Sequence, residues 1–275
     1  MIGKKRDVIH HAEPSAVSES RESIDDPTRV TRGAFRSLCQ NPTGVIERLR
    51  AAGVEARFRR QGIVDTLGDD ASFSKTASWA VWREPEIDGH GREVTPVKAS
   101  QDRSVLTWDH LKLFIRRDLI FVALNFGRPP GTPAPTEDWA NFHGGTQDYR
   151  LSRAIRAGDP DRNHVWGAYM TDFYKYLPTR KEAQLKDLLR VGGASEINRA
   201  MIETLRCELD LLGAQDPLLV PIGNRVAEIL KQELGRDHHV YPDKFPHYSR
   251  APSATAYGEK VADLVTYKLK RATQV

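Results

Sequence analysis

The stretch Asp118-Leu-Ile-Phe-Val-Ala-Leu-Asn-Phe-Gly-Arg128 limits the possible folds of this chain more than any other. Leu119 to Ala123 are five consecutive apolar residues, rich in β-formers and preceded by charged Asp118. So short an unbroken run reads as a strand buried on both faces of an α/β sheet. The strand delivers Asn125 to its carboxyl end, where the chain breaks into Gly127, Pro129, Pro130, Gly131 and Pro133. In open α/β sheets, ligands bind in the crevice outside the strand ends. A polar Asn at the lip of an apolar strand, followed by a proline-rich loop, is therefore a site candidate by position alone.

Similar signals recur downstream. Val165–Tyr174 reads as a second buried strand with a charged residue, Asp172, at its far end. Leu218–Ile222 reads as a third, and Gly223 opens a helix over Arg225–Leu234. His239–Tyr241 is a short fourth strand leading into the loop Pro242–Pro252. Between them, Ile197, Met201, Leu205, Leu209 and Leu212 form one stripe of a helix over Glu196–Leu212. Ser253–Lys270 reads as a closing helix, and Thr136–Ala157 as a loop that winds into one. Strands alternating with helices at these spacings predict a three-layer α/β/α fold with a mainly parallel four-stranded sheet, over residues 106–275.

The first part of the chain gives weaker signals. Residues 1–30 are polar and predict a disordered arm. Residues 31–105 form an N-terminal extension to which the sequence assigns no role. Within it, a helix is expected over Thr43–Ala52, stopped by Gly53, then a short strand over Val54–Phe58. Trp79–Trp82 has a strand-like pattern, and Glu84–Arg103 has loop chemistry. Thr107 is placed to cap a helix over Trp108–Arg116.

Composition excludes several classes. No run of about 18 apolar residues is present, so no membrane span is expected. The N-terminus lacks the apolar segment of a secretory signal, which predicts a cytoplasmic protein. Cys39 and Cys207 cannot make a four-thiolate site, and His10-His11 and His238-His239 lack helical zinc spacing, so no metal is expected. With no Gly-x-Gly-x-x-Gly or Walker loop, no cofactor is expected either. The net charge of +4 permits nucleic-acid binding without demonstrating it.

Four pieces, in order, resemble the uracil-DNA glycosylase superfamily. Ala123-Leu-Asn-Phe-Gly127 resembles its Gly-x-Asn-Pro-Gly first motif, with Ala123 for Gly and Phe126 for Pro. Residues 168–176, AYMTDFYKY, resemble the strand that reads Tyr-Ile-Thr-Asn in relatives. Residues 195–223 resemble the stretch in which a Glu-containing helix start leads to a strand ending in Gly. His247-Tyr-Ser249 resembles the His-Pro-Ser motif, without its prolines. The resemblance spans roughly residues 107–270. It implies a monofunctional DNA glycosylase, which flips a nucleotide out of the stack and hydrolyses the bond between sugar and base. DNA is the implied partner, with no membrane and no obligate protein partner.

The resemblance assigns roles to residues. Asn125 would orient the attacking water, and His247 would donate to the base's carbonyl as charge develops there. Phe142 is the candidate for stacking on the flipped base, with Trp139 as runner-up. Lys175, Arg180, Lys181 and Arg250 are candidate phosphate contacts, and Tyr248 or Arg250 a candidate wedge in the Tyr248-Ser249-Arg250 loop. Asp172 carries the specificity argument. In relatives that strand end is often Asn, which can both donate to and accept from uracil, whereas a carboxylate only accepts. An acceptor suits the N4 amino group of cytosine and repels the O4 of uracil. Because excision of ordinary cytosine would destroy the host's own DNA, the expected substrate is a modified cytosine, hydroxymethylated or glucosylated, as in anti-phage defence.

Other readings remain open. Asp172 could be an acidic strand-end residue facing solvent, and the aromatics could be core. The chain could be a uracil or mismatch glycosylase of base-excision repair, a non-catalytic nucleic-acid-binding module or a nucleoside hydrolase, because fold alone does not fix function.

Overall fold

A computed structural model describes residues 26–61, 71–125, 137–144, 146–175, 177, 179, 182–235, 238–243, 245–247 and 253–273. The apolar run lies in strand β4 (Arg116–Asn125), where Leu119 to Val122 are fully buried. β4 pairs in parallel with β5 (Ala168–Tyr174) on one side and with β6 (Leu218–Pro221) on the other. β6 pairs in parallel with β7 (His239–Val240). The four strands expected from sequence thus form a parallel set in the order β5-β4-β6-β7.

The expected four-stranded sheet is corrected in one respect: it has five strands and is mixed. β1 (Ala77–Trp79) pairs antiparallel with β5 along its outer edge, with Ala77 opposite Thr171 and Trp79 opposite Tyr169. The physical reason is burial. All seven residues of β5 are buried, and β1 covers the edge they would otherwise expose.

The chain leaves β4 through α6 (Thr146–Gly158) to reach β5, then returns through α8 (Ala194–Leu212) past β4 to β6. Right-handed crossovers put α6 on one face, with α8 and α9 (Asn224–Glu233) on the other. α10 (Ala254–Ala272) packs along α6. Their backbones come so close that a Cβ on Gly158 would lie 2.5 Å from the Gly258 carbonyl oxygen. The result is an α/β molecule with helices on both faces.

Residues 31–105 share this core. α1 (Arg32–Gln40) and α2 (Val45–Ala51) pack against α8, and α3 (Val54–Arg60) packs against α7 (Glu182–Gly192). Val54–Phe58 is therefore helical, not the short strand its sequence suggested. Gly53, in the left-handed region at φ 69°, lets the chain turn and restart, burying Val54 and Phe58 one turn apart. Residues 84–103, expected as loop, contain a two-stranded hairpin, β2 (Glu86–Ile87) and β3 (Glu93–Val94), followed by α4 (Pro96–Gln101). The helix expected over Trp108–Arg116 stops after one turn, α5 (Trp108–Leu111), because Arg116 is taken into β4 opposite Ala168. Gly167, at φ 82°, makes that pairing possible, since a Cβ there would lie 2.0 Å from the Phe114 carbonyl oxygen.

Of the expected arm, residues 1–25 lie outside the described residues. Residues 26–30 are ordered: Arg29 bridges to Arg116, and the Val30 amide donates to the Ile115 carbonyl. Among the described residues, no helix is long and apolar enough to cross a membrane.

Candidate functional site

β4 connects onward to β5 on one side while β6, its other neighbour, leads away on the opposite side. The carboxyl ends of β4 and β6 therefore flank the crevice where this topology binds ligands. Asn125 is the last residue of β4, and its Nδ2 donates to Thr179, to Oγ1 at 2.9 Å and to the carbonyl oxygen at 3.2 Å. A carbonyl only accepts, so this contact fixes which end of the amide is nitrogen. At the end of β6, Ile222 bridges to Phe245, and the Gly223 amide donates to the Phe245 carbonyl at 2.9 Å. That bridge brings the segment holding half-buried His247 to the same end of the sheet.

Asp172 belongs to this end by register. It pairs with Ala123, and Tyr174 pairs with Asn125. Partners in a parallel ladder share a face, and residues two apart on a strand share one too, so Asp172 and Asn125 lie on the same face. Asp172 is only 3% exposed, so it is not an acidic residue turned to solvent. Its Oδ2 accepts from Asn141 Nδ2 at 2.9 Å. Its Oδ1 accepts no hydrogen bond from the described residues. Burial pushes its carboxyl up to about 6; Asn141 and Lys175 oppose this, while Glu208 and Asp148 add to it.

The loop carrying Asn141 is fastened to the β1 region. Ser74 Oγ donates to Asp138 Oδ1, the Trp139 amide to the Ser74 carbonyl, and Ser78 Oγ to the Trp139 carbonyl. Asn141 Nδ2 also donates to the Thr76 carbonyl at 2.9 Å, and Trp82 Nε1 to the Phe142 carbonyl at 3.3 Å. These bonds hold Trp139 at φ 62° and Phe142 at φ 63°, the left-handed region that bulky side chains avoid. Each such residue costs on the order of 1–3 kcal/mol, and strain of this kind concentrates at functional sites. The Trp139 ring is committed to the core, 5.0 Å from Phe35 and 5.3 Å from Trp79, which leaves Phe142, 6% exposed, as the aromatic nearer the surface. His143 is fully enclosed beside Trp82; burial pushes it down to about 4 and keeps the ring neutral.

Lys175 is not a phosphate contact. It is 2% exposed, with Nζ 3.0 Å from Glu208 Oε2 on α8 and donating to the Asp172 carbonyl at 2.7 Å. The strand turns it inward because Glu208, fully buried, requires a counter-charge. Glu208 also accepts from Tyr169 Oη at 2.8 Å and Thr171 Oγ1 at 2.9 Å. Arg180, Lys181, Tyr248, Ser249 and Arg250, and the loop 126–136, lie outside the described residues. Arg150 and Arg153 are exposed cations at this end of the sheet. With Thr146, Tyr149, Ser253 and Tyr257 they line a cavity of about 280 Å³ between the first turns of α6 and α10.

Asn141, Thr179 and Arg225 are the neighbours that sequence reasoning missed. Arg225, at the start of α9, lies beside Tyr174, whose hydroxyl donates to Asn198 Oδ1 at 2.7 Å. The only sequence signal for Asn141 is a polar residue set among Trp139, Ala140 and Phe142, which pattern alone reads as loop. Among the described residues, no group of three His, Cys, Asp or Glu side chains is placed to hold a metal ion. Comparison with family models, curated proteins and solved structures gave no match.

Proposed function

We propose that this chain is a monofunctional DNA glycosylase of the uracil-DNA glycosylase type, acting on a flipped-out modified cytosine. One observation carries the reading: Asp172 is buried, one of its oxygens is held by Asn141 while the other accepts nothing from the described residues, and it shares a sheet face with Asn125 at the ligand-binding end. An acceptor left open on an otherwise buried side chain is available to a donor that a ligand brings. What it lacks is a donor, which the amino group of cytosine provides and the O4 of uracil does not.

Hydrolysis develops positive charge on the sugar and negative charge on the departing base. In this reading Asn125, its amide oriented by Thr179, holds the attacking water below the sugar. His247 donates to the base carbonyl from the segment beside β6. A cytosine modified at C5, hydroxymethylated or glucosylated, fits a defence role against phage DNA, because the host's unmodified cytosines must be spared.

The test is to incubate the protein with oligonucleotides carrying uracil, cytosine, hydroxymethylcytosine or its glucoside, and to score abasic sites. Excision of the modified cytosines supports the proposal, and excision of uracil alone overturns its cytosine part. A second reading, a non-catalytic nucleic-acid-binding module, draws on the structural bond that Asn125 makes to Thr179. Asn125→Ala separates the two: the enzyme loses turnover while still binding DNA, whereas a binding module has no turnover to lose.

A further inference from the structure

We infer that Asn141 is a specificity-determining residue, which joins Asp172 in one acceptor-only reader for the exocyclic amino group of a base. The inference deepens the glycosylase reading and rests on it for the identity of the ligand. An Asn side chain has two amide hydrogens and one carbonyl oxygen. Asn141 uses its Nδ2 on Asp172 Oδ2 and on the Thr76 carbonyl, both at 2.9 Å. The polar atom left over is its own Oδ1, which accepts nothing from the described residues. Asp172 Oδ1 is in the same position. The pair therefore offers two acceptors and no donor. An amino nitrogen carries two hydrogens and can meet both, while a keto oxygen brings only lone pairs against them.

The loop geometry serves this arrangement. Asn141 stands between two residues held in the left-handed region, Trp139 and Phe142, and is anchored through Thr76 to the segment before β1. Asn141 fixes the carboxyl plane of Asp172 through Oδ2, so that Oδ1 is held in one direction. Among the described residues, three charged groups act on Asp172: Lys175, following β5, favours its anion, while Glu208 from α8 and Asp148 from α6 oppose it. None of these three can replace the Asn141 donor on Oδ2, because Lys175 reaches only the Asp172 backbone oxygen.

The experiment compares the full-length protein with Asn141→Ala and with Asn141→Asp, which is nearly isosteric and keeps the loop filled if the alanine variant does not fold. Two quantities are read. The first is the ratio of excision rates for modified cytosine over uracil. The second is the titration of the Asp172 carboxyl in the protein alone, followed by carbon NMR. Both variants should lower the ratio by about tenfold or more, since the loss of one buried hydrogen bond to a charged group is worth at least that much. Both should also move the Asp172 midpoint to higher pH, most in Asn141→Asp, where a second carboxyl faces the first. An unchanged ratio with an unmoved midpoint overturns the inference. Should the wild type excise no base at all, the glycosylase reading fails, and the carboxyl titration still decides whether Asn141 positions Asp172.

Discussion

Each face of β5 covers a buried carboxylate, Glu208 of α8 beside Thr171 on one and the strand's own Asp172 on the other, and the two are treated in opposite ways. On the α8 face, Glu208 accepts from Tyr169 and Thr171 and is ion-paired with Lys175. On the α6 face, Asp172 has a single side-chain donor among the described residues, Asn141. Both are buried, so neither difference in exposure nor position in the chain separates them. What separates them is completeness. A saturated network is a structural element that has no valence left for a ligand. An unsaturated one keeps an acceptor open, and burial drives its carboxyl up to about 6, with the Asn141 hydrogen bond and Lys175 only partly opposing it.

Breaking the saturated side should have the largest effect. Glu208→Ala leaves Lys175 buried without its partner, which should cost about 3–5 kcal/mol in chemical denaturation. Replacing both by apolar residues, Glu208→Leu with Lys175→Met, should recover most of that loss. If the double variant is as unstable as the single one, the network is more than a charge pair.

The unsaturated side should respond with the opposite sign. Asp172→Asn removes a buried charge and should stabilise the protein at pH 7 by on the order of 2–3 kcal/mol, while abolishing the proposed preference for modified cytosine. The sign follows from linkage: the folded state holds the Asp172 proton more tightly than the unfolded chain does. Stability is therefore greatest below the usual carboxyl value of 3.8 and is lost as pH rises through about 6. The gain from Asp172→Asn should accordingly vanish near pH 4, as thermal unfolding across that range would reveal.

His143, in the same loop, should give the reverse slope and a similar or smaller effect. It is held neutral, so the unfolded chain takes up the proton first, and stability falls as pH drops from 6.5 toward about 4. In His143→Met that part of the acid sensitivity should be absent, at a cost at pH 5 of about 2 kcal/mol less than in the wild type. The smallest effect concerns the surface. Arg150→Gln with Arg153→Gln should leave stability unchanged and weaken DNA binding modestly, reducing the salt dependence of log K by about 2. An unchanged salt dependence would remove the cleft between α6 and α10 from the DNA path.

The parallel strands were legible because unbroken apolar runs such as Leu119–Ala123 have few alternatives, and the long helices because their stripes repeat at helical spacing. β1 was not, since three residues paired across a gap of ninety or more carry no local pattern. Position on a strand end also picked out Asn125 and Asp172 without revealing their partners. Thr179 and Asn141 are set by loop geometry, and nothing in the letters Trp139-Ala-Asn-Phe142 announces two left-handed aromatics. Lys175 misled for a related reason: a lysine after a strand is usually at the surface, and only the helix opposite, with its buried Glu208, draws it in.

The pairing of β1 with β5 also orders events in time. Ala77 meets Thr171 across most of the central chain, whereas β4, α6 and β5 are consecutive neighbours. Contacts so distant in sequence close late, because the entropy of the intervening chain must be lost first. The Asn141 loop, fastened to the residues flanking β1, can settle only after that closure. In refolding, secondary structure and a collapsed core should therefore recover before the Asn141–Asp172 contact does, and that contact would be the slowest feature of the fold to return.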